Sequence, residues 1–184
     1  LSSKIVTTNY DLALDRSMPP QLQKVVYYKN HQLSALVHGT GYLFKLHGCL
    51  EDDPGQCILF KDQYDELYND VALPGEVGAV PRPAKFLLQH LLAGQTVLFI
   101  GYGIKGDREI DLLLTYVNRV LEDVRGVHFR ISDEKGAFTE PYLQPIVLQN
   151  GYSELQDYIG RLQQLVPVKI LGEQFDPYSH EYAG

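Results

Sequence analysis

Thr96-Val97-Leu98-Phe99-Ile100-Gly101-Tyr102-Gly103-Ile104-Lys105-Gly106-Asp107 is the stretch whose reading decides the fold. Thr96–Ile100 reads as an unbroken apolar run, the signature of a strand buried on both faces of a parallel sheet. Glycines then open a turn. From Asp107 to Glu122 the apolar residues Ile110, Leu113, Leu114, Val117 and Leu121 recur at the three-and-four spacing of one helical face. Strand, glycine turn and helix make one βα unit. Gly101 to Gly106 also fits the Gly-x-Gly-x-x-Gly dinucleotide pattern, which combines a tight turn, close backbone approach and helix-terminal N–H groups facing a pyrophosphate. A plain glycine-rich turn fits the same residues. So does a dehydrogenase-type site, which would use Asp133 at the end of the next strand.

Outward from this unit the alternation continues. Lys4–Thr8 reads as a buried strand, Val25–Lys29 as a short strand at an edge, and Tyr42–His47 and Cys57–Phe60 as strands separated by a turn at Glu51-Asp52-Asp53-Pro54-Gly55. Lys61–Tyr68 reads as a short helix, Leu73–Pro83 as a Pro- and Gly-rich loop, and Ala84–Ala93 as a helix stopped by Gly94. Val127–Ser132 and Pro145–Leu148 are further strands. Ser153-Glu154-Leu155-Gln156 has the form of a capping box opening a last helix, with Leu155, Tyr158, Ile159, Leu162 and Leu165 as its buried stripe. Strand and helix alternating through short connections predict an α/β chain: a Rossmann-like, mostly parallel sheet with helices on both faces. Thr96–Ile100 is expected to be a central strand, in the same sheet as Lys4–Thr8.

Composition narrows the function. The chain has 184 residues, 45% hydrophobic and 21% charged, which suits a globular domain with a sizeable core. Its net charge of −7 argues against a general grip on nucleic acid. No apolar stretch reaches the ~20 residues of a membrane span. The two cysteines, Cys49 and Cys57, form no disulfide framework, and a reducing cytoplasm fits them better than secretion. They are not in Cys-x-x-Cys pairs, so no four-cysteine zinc site can form, and His31, His38, His90, His128 and His180 show no metal-ligand spacing with one another or with the cysteines.

Two other strand ends carry chemistry. Lys4-Ile5-Val6 runs into Thr7-Thr8-Asn9-Tyr10-Asp11, and Tyr42-Leu43-Phe44 runs into Lys45-Leu46-His47-Gly48. Ligands of α/β sheets bind outside the carboxyl ends of the strands. One end offers an amide and a carboxylate. The other offers a histidine backed by a glycine that lets backbone or ligand come close. A neutral amide beside a group that titrates near neutral pH suits chemistry on a sugar hydroxyl or a bound water. Asn9 and Asp11 also suit a plain turn or a helix cap, and a histidine beside an apolar run is often structural.

Thr-Thr-Asn-Tyr-Asp, then Lys-Leu-His-Gly, then Leu98-Phe99-Ile100-Gly101-Tyr102-Gly103, in this order, resemble the sirtuin-like NAD-consuming domains of prokaryotic antiviral defence proteins. Ile58–Tyr64, leading to Tyr68, is similar to that family's stretch after the His-Gly. The resemblance covers Lys4 to Leu165. It implies an NAD glycohydrolase that releases nicotinamide and ADP-ribose and depletes NAD in a suicidal antiviral response, held off until a partner domain or oligomer activates it. Asn9 and His47 take the catalytic places, Asn9 by the nicotinamide ribose and His47 as general base. Thr7, Thr8, Asp11, Gly101, Tyr102 and Gly103 take the NAD-binding places. NAD is then a substrate, and no metal is needed. The family's glycine-rich loop lies upstream of the Thr-Thr-Asn segment and has no counterpart here, so residues 1–165 are expected to be such a domain without its N-terminal glycine segment, and residues 166–184 a C-terminal extension. A homo-oligomer or a neighbouring domain of a larger protein is the expected partner. The alternative is a non-catalytic module that binds NAD or ADP-ribose or mediates assembly.

Overall fold

Tyr42–Lys45 forms β3, buried at all four residues. Its aromatic and branched side chains suit a strand covered on both faces. It lies between β1 (Lys4–Thr7) and β2 (Gln23–Val26), parallel to both. In register, Lys4 pairs with Tyr42 and Thr7 with Lys45 on one side, and Gln23 pairs with Tyr42 on the other. This computed structural model describes residues 3–72, 78–101, 108–121, 127–132 and 142–165.

A second parallel sheet holds β6 (Leu98–Ile100), β7 (His128–Ser132) and β8 (Leu143–Val147), in that order. The helices are α1 (Ala13–Ser17), α2 (Ser34–His38), α3 (Lys61–Tyr68), α4 (Pro83–Gly94), α5 (Arg108–Leu121) and α6 (Leu155–Leu165). One contiguous core joins the two sheets: Phe44 from the first and Leu46 just past it, Leu88 from α4, Leu113 and Leu114 from α5, and Leu143 from the second. Parallel strands linked through helices give the α/β, Rossmann-like class that the alternation predicts.

Several expectations are corrected in detail. Thr96–Ile100 is not a central strand. It shortens to β6, which pairs with β7 alone among the described residues, and Ile100 is 41% exposed. Nor does it share a sheet with Lys4–Thr8; β1 pairs with β3, and its Val6 is also 41% exposed. An apolar run records suitability for burial on two faces, but it does not select the neighbour. Cys57–Phe60 is no strand; Ile58 instead donates its N–H to the His47 carbonyl at 2.9 Å. The stretch expected to be loop after Leu73 contributes β5 (Ala79–Pro81), antiparallel to β4 (Asp70–Ala72). Three-residue strands are too short to show a period.

The capping box at Ser153 is replaced by a 3₁₀ turn over Gly151–Glu154, where Glu154 accepts from the Gln149 N–H at 2.9 Å and Ser153 donates to the Asn150 carbonyl. Leu155, Tyr158, Ile159 and Leu162 of the last helix are half-buried, and the Leu165 side chain lies outside the described residues. By contrast, α3 has the bounds its sequence predicts, with the Gln63 side chain accepting from the N–H groups of Leu59 and Phe60 at its start. Ile110, Leu113, Leu114 and Val117 form the buried face of α5, as their spacing requires.

The histidine at the start of β7 ties the second sheet together. His128 is buried, and its Nδ1 accepts the Val97 N–H at 3.2 Å. Burial holds its pKa below the ordinary 6.5, against the opposing effect of a hydrogen bond to the Leu92 backbone. The neutral ring is therefore the folded form, because a proton on Nδ1 would face the Val97 N–H. The unfolded chain takes up this proton first, so stability is lost as pH falls through 6.5 toward the folded value. Denaturant midpoints between pH 8 and pH 5 should show the wild type declining faster than His128→Gln. Parallel declines would remove His128 from the acid sensitivity.

Candidate functional site

The register of β1 and β3 builds the site. With Thr7 level with Lys45, Asn9 and His47 each lie two residues beyond the pairing, at the carboxyl edge of adjacent strands. The Leu46 N–H continues the pairing to the Thr7 carbonyl at 2.9 Å.

Past β1 the chain turns sharply. Thr7, buried, accepts the Asn9 N–H on Oγ1 at 3.1 Å, while Thr8 is half-buried and Asn9 is exposed. Asp11 accepts the Ala13 N–H at 2.8 Å and so opens α1, which is the turn role open to it in the sequence. Tyr10 is fixed twice against the segment after β3. The Leu50 N–H donates to its carbonyl at 3.1 Å, and its hydroxyl donates to the Ile58 carbonyl. Ile58 also bonds the His47 carbonyl through its N–H, so a single residue links the Asn9 turn to the His47 backbone.

His47 is 2% exposed, with its Nε2 2.8 Å from the Tyr68 hydroxyl, and Tyr68 is 3% exposed. The Tyr64 ring meets the imidazole edge-on at 5.0 Å and stacks near-parallel with Tyr68 at 6.3 Å. Residues four apart on α3 share one helical face, so these two tyrosines form a wall against the histidine. Next to His47, Gly48 lets the Gln56–Cys57 backbone come close. Its φ is +100°, and a Cβ there would lie 2.9 Å from Cys57 Cα and 3.0 Å from the Gln56 carbonyl oxygen.

Gly101 follows β6 with φ +63°, and among the described residues nothing lies within 4 Å of where a Cβ would project. Tyr102, Gly103 and Asp133 lie outside the described residues. The structure thus brings Thr7, Thr8, Asn9, Asp11 and His47 to one sheet edge, while Gly101 belongs to the other sheet. Among the described residues, no group of three or more His, Cys, Asp or Glu side chains could hold a metal ion. No helix among them is long and apolar enough to cross a membrane.

The profile of the SIR2-like domain family matches residues 3–151. The chain belongs to that family. It is also 26% identical over 124 residues to Defense-associated sirtuin 2 of Bacillus subtilis, a match that covers 65% of this chain and 11% of that protein. Tyr10, Lys45, Tyr64 and Tyr68 all stand within or at the end of the stretches that carry the resemblance, without an assigned role. The four-residue spacing of the last pair is what sets the two rings on one helical face.

Gly48→Ala must carry a side chain at positive φ into a wall of backbone. It should lower stability by about 1–3 kcal/mol and move the His47 ring resonances. A urea midpoint within error of the wild type would show that Gln56–Cys57 yields freely.

Proposed function

We propose that this chain is the NAD-cleaving part of a sirtuin-like defence protein, with Asn9 and His47 as its reacting pair. One observation carries the reading: in a SIR2-like chain, an amide and an imidazole from motifs far apart in sequence reach the same carboxyl edge on neighbouring parallel strands. The bond to break joins ribose C1′ to the pyridinium nitrogen of nicotinamide. As it breaks, its electron pair neutralises the ring, and nicotinamide leaves uncharged. Positive charge develops on the ribose, and a water oxygen closes on C1′. Asn9, exposed at the turn, would hold a ribose hydroxyl or that water. His47 would take the water's proton. Tyr68 holds one ring nitrogen, which fixes the imidazole plane and biases the tautomer, as a general base requires. Gly101, with a positive φ and no Cβ, suits close approach of the other end of the dinucleotide. The relative's printed name supports a defence role, and the match to 11% of its length supports a larger protein with further domains.

A second reading has its own support. His47 is 2% exposed, and a base so enclosed also suits a module that binds NAD or ADP-ribose without cleaving it.

Incubation with NAD followed by chromatography separates the two. The chain alone should cleave slowly or not at all. A longer protein that carries the upstream glycine segment should release nicotinamide and ADP-ribose. In that protein His47→Ala and Asn9→Ala should each reduce turnover by roughly 10²-fold or more. Unchanged cleavage in His47→Ala removes the histidine from the mechanism. Binding without cleavage, with an activating partner present, establishes the module.

A further inference from the structure

Lys45 is a fully buried lysine, with 0% exposure. A buried ammonium is costly unless it is paired and hydrogen-bonded. Its Nζ lies 3.1 Å from Asp15 Oδ2 and donates to the Asp11 carbonyl. Asp15 is in turn 3.4 Å from Lys24, whose Nζ reaches Glu51 at 3.3 Å. Alternating charges therefore run from the surface to the buried end of β3.

The helix that carries Asp15 needs this ladder. Helix α1 has five residues and buries none of them. A helix of that length does not persist alone, and no apolar face docks it. Asp15 docks it by charge. Asp11, one turn earlier, is held by its carbonyl on the same ammonium and opens α1 through its side chain. The Asn9 turn is thus held from both sides, by the Tyr10 contacts on one and by Lys45 on the other.

We infer that Lys45 is a positioning residue for the Asn9 turn: its buried ammonium, held by Asp15, fixes the Asp11 carbonyl and with it the path on which the chain leaves β1. Lys45 stands level with Thr7 in the paired register, two residues before His47. One side chain therefore references both motifs to a single strand. The bearing of this on catalysis rests on the NAD-site reading above; its bearing on the geometry of the turn does not.

The test uses this chain with Lys45→Met, Asp15→Leu and the double variant, read by thermal midpoint and by amide exchange at residues 10–13. Lys45→Met leaves a buried carboxylate with less compensation and should lower the midpoint. Replacing both partners by apolar residues should recover most of it. If Lys45 positions the turn, exchange at residues 10–13 stays at least tenfold faster in the double variant, while β2 and β3 keep their protection. Recovery of both midpoint and protection overturns the inference and leaves Lys45 a compensated charge. If Lys45→Met does not fold, the double variant decides in the same way. In a longer protein whose wild type cleaves NAD, the double variant should lower kcat by roughly 10²-fold with a smaller change in KM. Wild-type kcat in that variant also overturns the inference. Absence of cleavage in the wild type sinks the NAD-site reading instead, and the exchange result still decides the role of Lys45.

Discussion

Parallel pairing of β3 with β1 is the constraint on which the candidate site depends. It sets Thr7 level with Lys45. From that register follow the position of Asn9 beside His47, the reach of Lys45 to Asp11, and the loop on which Tyr10 closes. A slip of one residue would turn every β3 side chain to the opposite face. Tyr42 and Phe44 on one face and Leu43 and Lys45 on the other are all buried, so neither face tolerates the exchange. The site inherits its precision from the core.

The polar groups buried near that strand share one logic. Lys45 enters with a carboxylate and a carbonyl, and His47 with a tyrosine hydroxyl. Each is a group whose burial is unfavourable unless it meets its partner. Such a group specifies geometry more sharply than an apolar one, because a displaced leucine still touches carbon while a displaced ammonium loses its ligand. Polar burial at the carboxyl edge of β3, with apolar burial along its length, therefore separates the part that positions from the part that stabilises.

The two parallel sheets meet through α4 and α5 rather than through strand pairing among the described residues. Val6 on β1 and Ile100 on β6 are partly open. Both strands were read from sequence as interior, and their composition suits an interior place. Composition states what a strand tolerates on its faces; hydrogen bonding decides which edges meet.

Local rules made α3, α5 and the strand ends legible. A helix carries its own hydrogen bonds, and its face repeats every three to four residues, so Lys61–Tyr68 and the Ile110–Val117 stripe could be read without the rest of the chain. The strand ends at Thr7 and Lys45 could be read from apolar runs giving way to polar turns. The sequence by itself therefore determined the α/β class, most elements and the residues at the candidate edge. Only the tertiary structure decided that Tyr68 holds His47, that Lys45 tethers the Asn9 turn, that His128 locks β6 to β7, and that β1 and β6 pair in separate sheets. The physical reason is range. The Lys45–Asp11 and His47–Tyr68 bonds join residues 34 and 21 apart, and partners at that separation are chosen by packing, which no local periodicity encodes.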